Sequence, residues 1–307
     1  MRPKIVVIGC LHTDFTVKVK TIPRIGESVL GKSFKRSPGG KGANQAVAAA
    51  RLGADVVLIG RVGADVFGKE LIKNLRENGI DTKYIIEDSE TYTGLALIMV
   101  DEDGDNILAV ASGADMRIRK EDIDRAEEII KLSDILLIQL ETPLQIVEYA
   151  INIAFNEGVK VLLNPAPAQK LSKDLLKKVY VLIPNEKEAE LLSNVKIKDL
   201  NSSKISAKKL LENGTENIVI TLGKNGSIIA TKEETVHING LNVNAIDTTG
   251  AGDAFCGALA VALSSGKELK EAVIYANYAG ALATTKIGAQ EALPTKEELE
   301  NFKREVF

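Results

Sequence analysis

The segment Asp247-Thr248-Thr249-Gly250-Ala251-Gly252-Asp253 carries the residue types and spacing best suited to chemistry. Its glycines flank a turn that leads from a strand-like stretch into an apolar run of helical length, Gly252–Leu263. The backbone amides of Gly250, Ala251 and Gly252 then point outward at the positive end of a helix dipole, which makes an anion site. Asp253 opens the helix beside them, placed to accept a proton from an attacking hydroxyl. Neutralising a moving phosphoryl group and orienting its nucleophile are the two demands of phosphoryl transfer. Taken alone, the same residues also read as a glycine turn with an ordinary first-turn Asp.

A second glycine-rich loop, Pro38-Gly39-Gly40-Lys41-Gly42-Ala43-Asn44-Gln45, runs into an Ala-rich helix. Glycines let a backbone approach a ligand closely, and Asn44 can face it. The loop lacks the G-x-x-x-x-G-K-[ST] spacing of a P-loop, and Gly9 after the first strand lacks a dinucleotide fingerprint. Asn185-Glu-Lys-Glu188 has capping-box spacing. Thr221–Gly226 reads as a strand ending in a turn, and Glu141 precedes a helix start at Pro143. Cys10 and Cys256 read as packed thiols. With only His12 and His237 as histidines, a transition-metal centre is not expected.

These residues must be positioned by an α/β body. Ile5–Ile8, Val56–Ile59, Ile135–Leu140, Lys160–Leu163, Tyr180–Ile183 and Ile218–Leu222 read as strands apolar on both faces, hence central in a sheet covered on each side. Helical stretches alternate with them: Asn44–Leu52, Val66–Glu77, Leu144–Asn156 and Ala207–Glu212, most stopping at a glycine. Leu269–Thr285 and Lys296–Arg304 add helices near the end. The alternation predicts a three-layer α/β/α sandwich with a mostly parallel sheet. Two segments do not fit, Phe15–Pro38 and Thr91–Ala111. Each reads as two strands, the second pair joined by a turn-rich loop over Asp101–Asn106. They are expected to pair as a small accessory sheet, a lid or a dimer-forming flap.

Composition excludes other classes. The formal charge is −3, from 39 basic and 42 acidic residues, with no basic tract. A nucleic-acid surface needs clustered cations. Aromatics are only 4% with no Trp, which leaves no stacking platform for single strands. The apolar run at the N-terminus is too short for a leader or a membrane span, so a cytoplasmic location is expected.

Gly39-Gly40-Lys41-Gly42-Ala43-Asn44 and Asp247-Thr-Thr-Gly-Ala-Gly-Asp253 together resemble the two signatures of the ribokinase branch of the PfkB carbohydrate kinase family, over essentially the whole chain. The resemblance implies one kinase domain over 1–307, with lid segments 15–38 and 91–111 that also clasp a homodimer. It implies transfer of the ATP γ-phosphate to a small sugar, foremost the 5-hydroxyl of D-ribose. A nucleoside, deoxyribose or a ketose is the alternative substrate.

By similarity Asp253 is the base, and Gly250, Ala251 and Gly252 form the anion hole. His12, Asp14, Gly40, Lys41, Gly42, Ala43, Asn44 and Glu141 hold the sugar. Asn185, Thr221, Leu222, Gly223, Lys224, Asn225, Gly226, Gly252 and Asn277 surround the nucleotide. Glu188 serves magnesium, through water, while Asp247, Thr249, Ala283, Lys286 and Gly288 serve potassium. Two positions depart from the family pattern: His12 stands where Asn is typical, and Ala292 where Ser is often found near the cation loop. A non-catalytic binding protein on the same scaffold would have no chemical need for Asp253 and Glu188.

Overall fold

The computed structural model describes residues 2–103 and 105–306. Gly104, in the Asp101–Asn106 loop, lies outside them. The strands are β1 (Lys4–Ile8), β2 (His12–Val19), β3 (Gly31–Gly39), β4 (Asp55–Gly63), β5 (Ile85–Asp88), β6 (Gly94–Val100) and β7 (Asn106–Ala111). They continue with β8 (Ile135–Ile138), β9 (Lys160–Leu163), β10 (Val181–Leu182), β11 (Asn217–Thr221), β12 (Ser227–Ala230) and β13 (Thr235–Ile238). The first helices are α1 (Lys41–Arg51), α2 (Val66–Glu77), α3 (Lys120–Asp124), α4 (Glu127–Lys131), α5 (Leu144–Asn156) and α6 (Lys173–Leu176). After them come α7 (Glu186–Ser193), α8 (Leu200–Leu211), α9 (Ala251–Ser264), α10 (Leu269–Ala283) and α11 (Lys296–Val306).

Nine strands form the main sheet in the order β13-β12-β11-β10-β9-β8-β1-β4-β5, parallel from β11 to β5 and antiparallel at the β12 and β13 edge. Alternation along β1 shows why the sheet is buried on both faces. Ile5 and Val7 join a core with α1, α9 and α10, whereas Val6 and Ile8 join a second core with α5 and α8. The result is the expected three-layer sandwich.

The two segments that broke the βα pattern make a second sheet, β3-β2-β6-β7. Its hairpins β2–β3 and β6–β7 are antiparallel, and β2 pairs with β6 in parallel. The accessory sheet is therefore as predicted.

Some boundaries differ. α1 starts at Lys41 rather than Asn44, because Gly40 at φ 88° turns the chain directly into the helix. α8 begins seven residues earlier than its apolar period suggested, held by a capping box between Asp199 and Ser202. No helix among the described residues is long and apolar enough to cross a membrane.

Candidate active site

The parallel strands aim their C-terminal ends at one edge of the sandwich, the usual ligand side of such sheets. Gly9 follows β1, Glu141 follows β8, Asn164 follows β9 and Asn185 follows β10, while Thr221 ends β11. The root of the accessory sheet meets the same edge. β2 opens with His12 and carries Asp14, and β3 closes at Gly39, opposite His12, before the chain enters α1.

The glycine loop fits tightly against β1. A Cβ on Gly42 would stand 2.6 Å from the Gly9 carbonyl carbon and 2.7 Å from the Cys10 amide nitrogen. Only hydrogen fits there. This close approach brings the start of α1 against the end of β1. Ala43 N donates to the Cys10 carbonyl at 3.1 Å.

Charged side chains converge above this junction. Lys41 Nζ is 2.5 Å from Glu141 Oε1, and Cys10 Sγ donates to Glu141 Oε2 at 2.6 Å. Burial works against the Lys41 ammonium, but the Glu141 carboxylate outweighs it and holds the pKa above its ordinary value. Burial likewise opposes the charge on Glu141, yet Lys41 and His12 bring its carboxyl below the ordinary range. At Asp14 the compensation is too weak: loss of water pushes it up to about 6, with Glu141 and Asp253 adding to the rise and His12 and Lys41 opposing it.

His12 is buried, with Nε2 2.9 Å from Asp115 Oδ2. The contact is an ion pair when the imidazole is protonated. Burial disfavours the imidazolium, but Asp115 prevails and raises its pKa. Asp115, fixed by the Leu11 amide at 2.9 Å, sits in a short turn of 3₁₀ helix over Gly113–Arg117. Nothing in its sequence surroundings marks it as a site residue.

Asp253, in the first turn of α9, meets the glycine loop directly. Asn44 Nδ2 donates to Asp253 Oδ2 at 2.9 Å, and Gln45 Nε2 donates to Oδ1 at 3.0 Å. Loss of water raises the Asp253 carboxyl to about 6, against the pull of the Asn44 and Gln45 amides and of Lys41. Asn44 Oδ1 is buried without a hydrogen-bond partner. An acceptor left open in that position suits a hydroxyl donor from a ligand. Two motifs 209 residues apart thus share one carboxylate.

The anion hole needs one correction. Ala251 N turns back onto the Thr248 carbonyl at 3.2 Å, so this amide is spent within the turn. Gly252 and Asp253 keep the first-turn amides that a helix cannot satisfy internally.

On the far side of the α9 N-terminus lies a cavity of about 500 Å³. Thr221, Gly223, Lys224, Asn225, Gly226, Gly252 and Asn277, all read above as nucleotide positions, line it together. Leu222 does not: its side chain is buried in the core at 3% exposure. Nor does Asn185, whose Oδ1 accepts the Glu188 amide at 2.9 Å while Glu188 Oε2 accepts the Asn185 amide at 2.8 Å. This is the capping box that the spacing suggested. Asn242, Val243 and Ala245 also line the cavity and were not anticipated, since 239–249 shows no periodic pattern.

Oxygen donors, the Glu188 and Asp247 carboxylates among them, stand at both expected cation positions, a set that suits hard cations rather than soft metals. Burial and Asp253 raise the Glu188 carboxyl, with Lys41 opposing, so Glu188 belongs electrostatically to the same site. Asp247 joins two loops, accepting Thr249 N on Oδ1 and Gly288 N on Oδ2, each at 2.9 Å. Thr249 and Gly288 thus meet through it. Ala283 ends α10, and its carbonyl takes the Lys286 amide at 3.2 Å. The Lys286 ammonium leaves the loop for Glu298 at 2.5 Å.

A doubly covered, mostly parallel sheet, an accessory sheet at its ligand edge, and one carboxylate between a glycine loop and a helix N-terminus define a small-molecule phosphotransferase. The chain belongs to the pfkB family of carbohydrate kinases, whose family model matches residues 2–296. It is 42% identical to the ribokinase of Haemophilus influenzae, over 98% of this chain and 99% of the relative. Identity to the deoxyribokinase of Salmonella typhi is 37%, over 97% and 98% of the two chains. The structure of Arabidopsis thaliana ribokinase complexed with ribose and ATP superposes with a TM-score of 0.90 at 28% identity, covering 98% and 99% of the chains.

Proposed function

We propose that this kinase transfers the γ-phosphate of ATP to the 5-hydroxyl of D-ribose. The hydrogen bond from Asn44 to Asp253 carries the proposal, because it sets the sugar loop against the base at the mouth of the anion-binding helix. The ribose and ATP of the Arabidopsis structure, and the ribokinase relatives, favour this substrate pair.

In this reading Asp14, Asn44, Glu141 and the Gly40–Asn44 backbone hold the sugar hydroxyls, with His12 beside them. Ionised carboxylates are strong acceptors for that role. Asp253 takes the proton of the 5-hydroxyl as its oxygen bonds to the γ-phosphorus. The bond from that phosphorus to the β,γ-bridging oxygen breaks, and ADP leaves with the electron pair. First-turn amides of α9 stabilise the negative charge in flight. ATP occupies the cavity beside Asn277 and Thr221, its phosphates toward Gly252.

Glu188 would hold magnesium through water, and the Asp247 loop with Thr249, Ala283, Lys286 and Gly288 would hold potassium. A divalent ion supplies charge neutralisation on the phosphates when bound. Residues 1–307 act as one kinase unit, with 15–38 and 91–111 as lid and dimer clasp. Dependence on ATP and a free sugar suits the cytoplasm.

The test is ADP release with ribose, deoxyribose, fructose, adenosine and cytidine, each with and without potassium. Ribose should give the highest kcat/KM. His12, in place of the usual Asn, and the Salmonella deoxyribokinase make deoxyribose the competitor to beat. A tenfold preference for any other acceptor overturns the assignment.

A further inference from the structure

Gln45 follows Asn44 in α1 and is fully buried, at 0% exposure. Its amide bonds three other side chains. Nε2 donates to Asp253 Oδ1 at 3.0 Å and to Asn164 Oδ1 at 3.1 Å. Oε1 accepts from Gln139 Nε2 at 2.6 Å. Asn164 in turn donates through Nδ2 to the main-chain carbonyl of Ile183 at 2.9 Å.

The direction of every bond in this chain follows from its far end. An amide side chain has two ends of similar shape but opposite polarity. The Ile183 carbonyl can only accept, so Asn164 must turn Nδ2 toward it and Oδ1 toward Gln45. Gln45 must then present Nε2 to Asn164, and the second hydrogen of that nitrogen points at Asp253. Gln45 Oε1 is left facing Gln139, which has to donate. Gln139 Oε1 consequently lies buried against Gly9 with no hydrogen-bond partner. An orphaned buried carbonyl is costly, so Gln139 serves the chain at the expense of its own satisfaction.

We propose that Gln45 is a positioning residue for phosphoryl transfer. Through Asn164 and the Ile183 carbonyl, the fold obliges its amide to donate to Asp253, which turns and holds the reacting carboxylate. The inference rests on Asp253 being the base. Asn44 holds the other oxygen from the same helix, so α1 clamps both sides of the carboxylate while lone pairs remain for the sugar hydroxyl. Relaxed rotation of a base misaligns it in most encounters, which is the loss that orientation prevents.

A hydrogen bond to an ionised carboxylate favours the ionised form. Lys41, Glu141, Asp14 and Glu188 also bear electrostatically on this carboxylate. None of them is altered in the variants below, so a shift isolates the Gln45 bond.

In Gln45→Met the acid limb of kcat/KM against pH should move up by about one unit. The plateau should fall about tenfold, with the KM for sugar changed less than threefold. Asn164→Ala keeps Gln45 but frees its amide to rotate, and should move the limb the same way by about half as much. If Gln45→Met does not fold, Asn164→Ala decides alone. Carboxyl carbon NMR of Asp-labelled protein gives a readout independent of turnover. The resonance lost in Asp253→Asn should titrate at higher pH in both variants. Lower rates with the limb and the titration unmoved would overturn the proposal and leave Gln45 a packing residue. Should Asp253→Asn stay active, the base assignment falls, while the titration still reports whether Gln45 holds Asp253.

Discussion

Lys41 and Glu141 lie 100 positions apart in the chain, yet the Lys41 ammonium sits 2.5 Å from Glu141 Oε1, with the Cys10 thiol on the other oxygen. The contact bridges the first residue of α1 and the segment that follows β8, on the two sides of the proposed sugar site. Lys41 keeps a third of its side chain in water, so the pair is of modest worth to stability. Its effect falls on charge: Glu141 must stay ionised to accept sugar hydroxyls.

Lys41→Met should therefore raise the sugar KM about tenfold while changing the ATP KM less than threefold, the loss of a charge-assisted contact. Glu141 loses its compensating cation, and its carboxyl pKa should climb. Steady-state kinetics with each substrate varied in turn tests this. Equal effects on both KM values would mean that Lys41 serves the phosphates instead.

Asp253→Asn should keep the fold and ATP binding and lose about 10²–10⁴-fold in kcat. A second consequence concerns pH. The Asp253 carboxyl lies near 6 because burial disfavours its charged form. A base works only when deprotonated, so activity should be full above that value and fall as pH drops through it. The profile of kcat/KM from pH 5 to 9 reads the limb directly. A flat profile down to pH 5, or a variant within threefold of wild type, removes Asp253 from the mechanism.

Gly42→Ala probes the close approach of α1 to β1. The added methyl has only backbone within 3 Å and nothing flexible to push aside. A shift of α1 would carry Asn44 and Gln45 away from Asp253. Overpacking of this kind costs about 1–3 kcal/mol. Thermal melting should show that loss, and sugar KM should rise with it. An unchanged melting temperature would show that the loop has slack.

Much of this arrangement is legible in the chain, and the reasons are local. The bounds of α2 and α5 follow from apolar periodicity ended by glycine, and both match the structure to the residue. The glycine loops mark themselves because close approach leaves few residue types to choose from. The chain through Gln139, Gln45 and Asn164 does not show in sequence: its members are 94 and 119 positions apart and polar partners leave no period. Asp115 is hidden for the same reason, an acid in a short turn that only folding brings to His12. The Leu222 side chain turns into the core because strand alternation continues from Ile218 and Ile220, which leaves only its main chain toward the cavity side.

Potassium should activate. The Asp247 carboxylate ties the turn before α9 to the 284–288 loop through the Thr249 and Gly288 amides, beside main-chain bonds from Ile246 and Asp247 to the Thr284 carbonyl. A cation there would steady the turn that aims the first amides of α9, acting through preorganisation. At matched ionic strength, kcat should be several-fold higher in potassium than in tetramethylammonium, and Asp247→Ala should abolish the difference. Equal rates in both salts for the wild type would leave Asp247 a purely structural brace.

The accessory sheet leads to the last prediction, that the chain is a dimer clasped through its lid. Register places His12 and Asp14 on the same face as Leu108 and Val110, whereas Phe34, Leu97 and Ile107 share the opposite face. Each face carries apolar side chains open to water: Phe34 is 63% exposed, Leu97 59% and Leu108 60%. A four-stranded sheet with little core of its own is not stable so exposed, and its edges invite pairing. A second copy related by a two-fold axis would cover that surface reciprocally. Closure of the same sheet over the sugar would exclude water, which competes for the phosphoryl group. Sedimentation at micromolar concentration should give a dimer. The double variant Leu97→Glu/Leu108→Glu, one change on each face, should give a monomer with a raised sugar KM. A wild type that sediments as a monomer at full activity overturns the clasp, and the lid would then have to close unaided.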